Sequence, residues 1–324
     1  MQSGIIAQYR TLGQSNLNVF PLCFGGNIFG WTVDEQQSFA VLDAYVAGGG
    51  NFIDTADTYS TWVEGHKGGE SETIIGRWMK ARGNRDQLVI VTKVGGKMGS
   101  GAQGLSRLHI LASIEDSLHH LQTDHVDVYL EHHDDPNAPL EETLAAFDTI
   151  VRQGKARTVG ASNLSAERLA NSLKISEQHS YIGYTSLQPR YNLISRSDYE
   201  RDMEQIAAQH NLGVFTYSSL ASGFLSGKYR QGQAMPTSQR ASGVQQRYMN
   251  EQGFAILAEV ERVAKEHGAT PAQVALAWIL ARPSVTAPIA SATSVDQVHD
   301  LLGAVSLKLS KEDILVLDKV SAWQ

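Results

Sequence analysis

The sequence predicts an α/β fold closed into a (β/α)8 barrel, and three observations carry that prediction. Eight short apolar runs alternate with amphipathic segments along the 324 residues, with no low-complexity tract and no Pro-, Gly- and Ser-rich linker. That alternation is the pattern of βα units around a parallel sheet. The runs are continuously apolar or β-branched, as strands buried on both faces should be. The rival is an open doubly wound sheet, which at this length usually carries a Gly-rich turn after its first strand. Here that turn reads GGNIFG (Gly25 to Gly30), which lacks the G-x-G-x-x-G spacing, and VGGKMGSG (Val94 to Gly101) lacks the spacing of a Walker A loop. A length of 324 residues would allow two domains, but barrels routinely use it for one, so residues 1–324 are expected to form a single domain.

The elements follow in order. Tyr9–Leu12 with Leu17–Val19 reads as a short hairpin closing the bottom of the barrel, and Pro21–Phe24 as the first barrel strand. Asp34 with Gln37 resembles a capping box opening a helix that carries Phe39, Leu42 and Val46 and stops at Gly48–Gly50. Asn51–Asp54 and Leu88–Thr92 are the next strands. Leu108, Leu111, Ile114, Leu118 and Leu121 then fall at steps of three and four, one helical stripe. Val126–Glu131 follows, then a second stripe of Leu140, Leu144, Phe147 and Ile150 with Gly154 as its stop. Thr158–Ala161, Thr185–Gln188, Gly213–Tyr217 and Thr286–Ile289 complete eight strands.

Composition excludes several classes. A chain this long buries about three quarters of its unfolded surface and needs no staples. Its one cysteine, Cys23, excludes an intramolecular disulfide and a multi-cysteine zinc or iron–sulfur site. The 27 Lys and Arg against 34 Asp and Glu leave a net charge of −7, contrary to the basic surface of a nucleic-acid binder. The opening MQSGIIAQYRTLG has no basic stretch followed by an apolar core, so no signal peptide is expected. The longest apolar run, Val274 to Ala281, is far short of the ~20 residues that span a bilayer. The expectation is a soluble, cytoplasmic protein with no nucleic-acid or membrane partner, and no pattern sets an oligomeric state.

Barrels deliver chemistry at the C-terminal ends of their strands. Strand two ends in Asp54, with Tyr59 five residues on, strand three in Lys93, and strand four in Glu131, His132, His133, Asp134 and Asp135. An acid, a phenol, an ammonium and an imidazole converging on one mouth suit proton delivery to a polarised carbonyl. A free Tyr, with a pKa of about 10, is a poor acid. An adjacent Lys93 is expected to lower it, with Asp54 holding the ammonium in place and His132 orienting the substrate oxygen. Adjacent residues on an extended strand point to opposite faces, so His132 and His133 are not expected to share a metal ion.

DTADTY, VTK and VDVYLEH resemble the Asp, Tyr, Lys and His tetrad of the aldo-keto reductase family in order and spacing. GASN (Gly160 to Asn163), QPRYN (Gln188 to Asn192) and TYSSLASGFLSGKY (Thr216 to Tyr229) resemble its cofactor motifs, and the likeness runs from Tyr9 to about Ala304. It implies a TIM barrel acting as an NAD(P)H-dependent oxidoreductase, with catalytic Asp54, Tyr59, Lys93 and His132 and a small carbonyl or alcohol as substrate. The implied cofactor set is Gly26 and Asp54; Ser162, Asn163 and Gln188 on the carboxamide; Tyr217 stacked on the nicotinamide; and Ser218, Leu220, Ser222 and Gly223 around the pyrophosphate. Lys228 and Arg240 match positions near the 2′-phosphate and favour NADP(H), with NAD(H) as the other option. Ser291 and Thr293 stand where a family glycine and often a cation lie, Gln297 matches an adenine-facing Gln, and Leu301 replaces a frequent Asn. Ser219 replaces a Pro, which predicts a looser cofactor loop.

Phe29, Trp31, Trp62 and His133 are candidate substrate walls, and Ser218 to Gln252 reads as a mobile stretch able to close over the cofactor. Two alternatives remain. One is a cofactor-sensing subunit with slow turnover, as some relatives with an intact tetrad are. The other is a Schiff-base lyase with Lys93 as nucleophile, which Asp54 disfavours by keeping the lysine charged.

Overall fold

In the computed structural model, residues 8–323 are described; the start of the opening stretch read for a leader lies outside them. Strands β1 (Arg10–Thr11) and β2 (Asn18–Val19) form the antiparallel hairpin. The barrel is β3 (Cys23–Gly25), β4 (Phe52–Asp54), β5 (Val89–Val94), β6 (Val126–Glu131), β7 (Ala156–Ser162), β8 (Ser186–Gln188), β9 (Gly213–Thr216) and β10 (Ala287–Ala290). Each pairs in parallel with its neighbour, and β10 closes the ring by pairing with both β9 and β3. All eight expected strands are present, within a residue or two at their ends.

Inward side chains of the strands, among them Cys23, Phe52, Val91, Val128, Leu130 and Phe215, pack into one apolar cluster with Leu12, Leu17 and Val19 of the hairpin. The hairpin therefore plugs the bottom, as expected. Gly13 makes this possible: its φ is +55° and a Cβ there would meet the Gly213 nitrogen at 2.2 Å. A second, larger cluster fills the layer between strands and surrounding helices.

The helices depart from the reading in detail. Asp34 does cap Glu35–Ala47 by accepting from the Gln37 N–H, but the Gln37 side chain donates to Thr293 O instead of returning to the cap. The helix Arg107–Leu121 turns Ile110, Ser113, Ile114, Ser117, Leu118 and Leu121 inward, leaving Leu108 83% exposed and off the stripe. The helix Leu140–Arg152 keeps its stripe, and Gly154 follows it at φ +76°. The stretch from Ser218 to Gln252 is better anchored than its composition suggested. It holds the helix Ala241–Tyr248 and buries Phe224, Leu225, Tyr229 and Val244. No described helix is long and apolar enough to cross a membrane.

Candidate active site

Strand register builds the site. Asp54 pairs with Val91 and Lys93 with Leu130, so both polar side chains end on the inward face of the barrel. Lys93 has no solvent exposure. Its Nζ lies 2.6 Å from Asp54 Oδ1 and donates to Thr55 O at 2.7 Å and to the Tyr59 hydroxyl at 2.9 Å. Three acceptors match the three protons of an ammonium. Tyr59 in turn donates to Asp54 Oδ2 at 2.9 Å. The expected trio is assembled at one point, at the floor of a cleft of ≈ 860 Å³ lined by Asp54, Tyr59 and His132.

The electrostatics of the trio differ from the expectation. Burial, with the Asp54 charge and hydrogen bond beside it, pushes the Tyr59 phenol well above its ordinary range. In this geometry the phenol is thus a held proton and not an acidified one. Burial pulls the Lys93 ammonium down, with Asp54 opposing. Burial, then the Lys93 and His133 charges, hold His132 well below the usual imidazole value. His132 is therefore neutral near neutral pH, with a ring N–H to offer.

His132 and His133 are not on opposite faces. Strand β6 ends at Glu131, and beyond it the two rings stack at 4.5 Å with an 18° interplanar angle. No group of three or more His, Cys, Asp or Glu side chains placed to hold a metal occurs among the described residues. Trp31, Trp62 and His133 line the cleft, the two indoles packed edge to face at 5.3 Å. Phe29 does not: it is 0% exposed and stacks on Phe24 at 5.9 Å.

The residues expected around a cofactor lie in the same cleft with one exception. Ser162, Asn163, Gln188, Tyr217, Ser218, Leu220, Ser222, Gly223, Lys228, Arg240, Ser291, Thr293 and Gln297 all line it. Gly26 is buried behind it, its N–H donating to Asp54 O at 2.7 Å, while Gly25 and Asn27 face the cleft. Asn163, left-handed at φ +55°, donates to His132 O at 2.8 Å and accepts from the Tyr217 hydroxyl at 2.7 Å. Gln188 donates to Asp54 Oδ1 at 2.7 Å. Three consecutive left-handed residues, Ala221, Ser222 and Gly223, coil the chain tightly at the cleft edge.

The departures from the family pattern have local explanations. Ser219 Oγ donates to Thr216 O at 2.8 Å, a brace where a Pro would have fixed the turn. Ser291 Oγ donates to Gly25 O at 2.7 Å and lies 3.0 Å from Asn27 Oδ1, tying the last barrel loop to the first. Leu301 packs in the core. Sequence reasoning missed Asn27 and Arg247, both on the cleft. Asn27 lies in the turn after the first strand, which was read only for its glycines; Arg247 carries no local signal.

Lys228, Arg240 and Arg247 have no carboxylate within ion-pair distance among the described residues, and Asp54, already engaged with Lys93, is the cleft's acid. Half-buried Arg240 instead lies over the Trp31 ring at 5.5 Å. This donor set fits an extended polyanion such as a dinucleotide.

Comparison with known proteins agrees with the geometry. A sequence profile described as the Aldo/keto reductase family matches residues 21–322. The chain is 35% identical over 321 residues to an uncharacterized oxidoreductase, YrpG, of Bacillus subtilis (strain 168), covering 97% of this chain and 95% of that one. It is 32% identical over 333 residues to Protein tas of Escherichia coli (strain K12), covering 95% of each. It is 33% identical over 323 residues to a probable voltage-gated potassium channel subunit beta of Arabidopsis thaliana, covering 97% of this chain and 95% of that one. A closed (β/α)8 barrel, a tetrad at its mouth and a profile match over nearly the whole chain lead to one conclusion: this chain belongs to the aldo/keto reductase family of oxidoreductases.

Proposed function

We propose that this protein is a cytoplasmic reductase of small aldehyde, ketone or sugar carbonyls, reversible toward the alcohol, that prefers NADP(H) over NAD(H). The observation that carries the reading is Tyr59, held between Lys93 and Asp54 on the floor of a cleft rich in unpaired cations. When bound, the nicotinamide supplies or accepts the hydride. Ser162, Asn163 and Gln188 would hold its carboxamide, Tyr217 its ring, the Ser218–Gly223 stretch its pyrophosphate, and Lys228 and Arg240 the 2′-phosphate. Gln297 and Thr293 would meet the adenosine.

The rest of the chemistry belongs to the chain. Neutral His132 donates a hydrogen bond to the substrate carbonyl oxygen and orients it toward Tyr59. Tyr59 gives that oxygen its proton, turning its hydroxyl from Asp54 to do so. Lys93 stabilises the phenolate left behind, and Asp54 keeps Lys93 charged and in place. In the reverse direction the phenolate is the base. Trp31, Trp62 and His133 form the wall above and exclude water from the reacting centre. Lys93, with all three of its protons donated, has no lone pair to attack a carbonyl, which disfavours the lyase alternative.

Fluorescence titration with NADPH and NADH, followed by a panel of aldehydes, ketones and sugars read by loss of reduced-cofactor absorbance, tests the proposal. Tight NADPH binding with carbonyl turnover supports it. Binding without turnover favours a cofactor-sensing subunit, the reading suggested by the relatives named as channel beta subunits. Failure to bind either dinucleotide overturns both.

A further inference from the structure

The Gln188 side chain reaches across the barrel floor from the end of β8 and is almost wholly buried. Its Nε2 lies 2.7 Å from Asp54 Oδ1, the same oxygen that faces Lys93 Nζ at 2.6 Å. The other oxygen, Oδ2, accepts the Tyr59 hydroxyl at 2.9 Å. A carboxylate can only accept, so the amide must present its nitrogen here. One Asp54 carboxylate therefore divides its charge among three donors: an ammonium, an amide and the phenol whose proton the reaction uses.

We infer that Gln188 is a positioning residue for proton transfer, its amide setting how firmly Asp54 holds the Tyr59 proton. The inference rests on the reading of Tyr59 as the proton donor, and adds a role to a residue otherwise assigned to the nicotinamide carboxamide. The physical argument is one of shared charge. Each donor that bonds the anion lowers its hunger for the next. With the Gln188 donor in place, Asp54 is the weaker acceptor for Tyr59, and the phenol is freer to turn toward substrate. Without it, Asp54, only 1% exposed, has Lys93 and Tyr59 alone to satisfy it, and it grips the phenolic proton harder.

The amide also has a second end. A donor placed on Gln188 Oε1 polarises the group and strengthens its Nε2 bond to Asp54, since linked hydrogen bonds reinforce one another. A carboxamide N–H captured there loosens the hold on the Tyr59 proton. Occupancy of the cofactor site and readiness of the acid are then coupled through one side chain.

The test replaces Gln188→Met, which keeps length and removes the donor, and Gln188→Glu, which keeps shape and places a second negative charge beside Asp54 at alkaline pH. Two readouts are taken. The first is the pH dependence of kcat for carbonyl reduction, whose alkaline fall reports loss of the Tyr59 proton. The second needs no turnover: fluorine NMR titration of 3-fluorotyrosine-labelled protein without cofactor, with the Tyr59 resonance assigned by Tyr59→Phe. The expected result is an upward move of the Tyr59 midpoint by about one pH unit in Gln188→Met, a tenfold change in the proton's equilibrium. Gln188→Glu moves it at least as far. If Gln188→Met weakens dinucleotide binding but leaves the fluorotyrosine midpoint in place or lowers it, Gln188 serves the carboxamide alone and the inference is overturned. Should Gln188→Met fail to fold, Gln188→Leu, which also removes the donor without adding a charge, decides the question by the same midpoint. Absence of turnover in the parent protein sinks the proposed function, while the fluorine midpoint still decides this inference.

Discussion

Lys93 Nζ and Asp54 Oδ1 meet at 2.6 Å inside the barrel, and neither side chain has appreciable contact with water. Such a pair is weak testimony for stability as a whole, yet removing one partner strands the other's charge. Asp54→Asn or Lys93→Met alone should destabilise the fold by about 3–5 kcal/mol. The double variant should cost clearly less than the sum of the two, as contacting residues do. Urea midpoints of the four proteins measure this; strict additivity would contradict the ion pair.

Tyr59→Phe removes the hydroxyl and leaves the ring among Trp62 and His132. Turnover should fall by at least ~10²–10⁴-fold, the usual contribution of a positioned acid. Dinucleotide affinity should stay within about twofold, since no charge is lost and Tyr59 is not among the groups proposed to hold the dinucleotide. Single-turnover kinetics beside a binding titration separates the two effects.

Lys228 and Arg240 carry the predicted preference for the phosphorylated dinucleotide. Lys228→Met with Arg240→Met should weaken NADPH by ~10²–10⁴-fold and NADH much less, each of the two charge-assisted contacts being worth ~1.5–3 kcal/mol. Equal losses for both dinucleotides would place these cations elsewhere on the ligand.

Glu131 is fully buried beside the Tyr184 hydroxyl, and burial raises its carboxyl from 4.5 to about 7. Between those values the folded chain keeps a proton that the unfolded chain has released. The favourable contribution is therefore complete below pH 4.5 and is lost as pH rises through 7. Glu131→Gln, a neutral isostere, should gain on the parent protein by on the order of 3 kcal/mol from one end of that window to the other. Urea unfolding of both proteins at several pH values checks the sign.

Phe29→Ala should cost about 3–5 kcal/mol of stability because it empties a packed core position. Trp62→Ala, at a side chain 51% exposed on the cleft, should raise KM for carbonyl substrate and leave the unfolding midpoint nearly unchanged. Chemical denaturation with steady-state kinetics on both variants distinguishes wall from core.

These last two residues show where the sequence was readable and where it was not. The eight strands were legible because parallel strands covered on both faces must be apolar throughout. The trio of Asp54, Tyr59 and Lys93 was legible because polar residues at strand ends break that pattern. Leu108 misled because Ser113 and Ser117, small hydroxyls that hydrophobicity discounts, take the buried positions on its helix. Phe29 misled because a loop position at the mouth gives no sign of whether its ring faces outward or back onto Phe24. The His132–His133 stack escaped the alternation rule because the strand stops one residue earlier. The direction of the Tyr59 proton depends on depth of burial, which no spacing encodes.

The cations of the cleft have a consequence for encounter. The chain as a whole carries a net charge of −7, so an anionic ligand approaching at random meets repulsion over most of the surface. Lys228, Arg240 and Arg247 turn the mouth into the attractive opening of an otherwise repulsive body. Beyond a screening length of about 8 Å at physiological salt this contrast fades, and within it the dinucleotide is drawn in phosphates first. Ionic strength would then govern how fast the site fills, more than how fast the bond to hydrogen is broken.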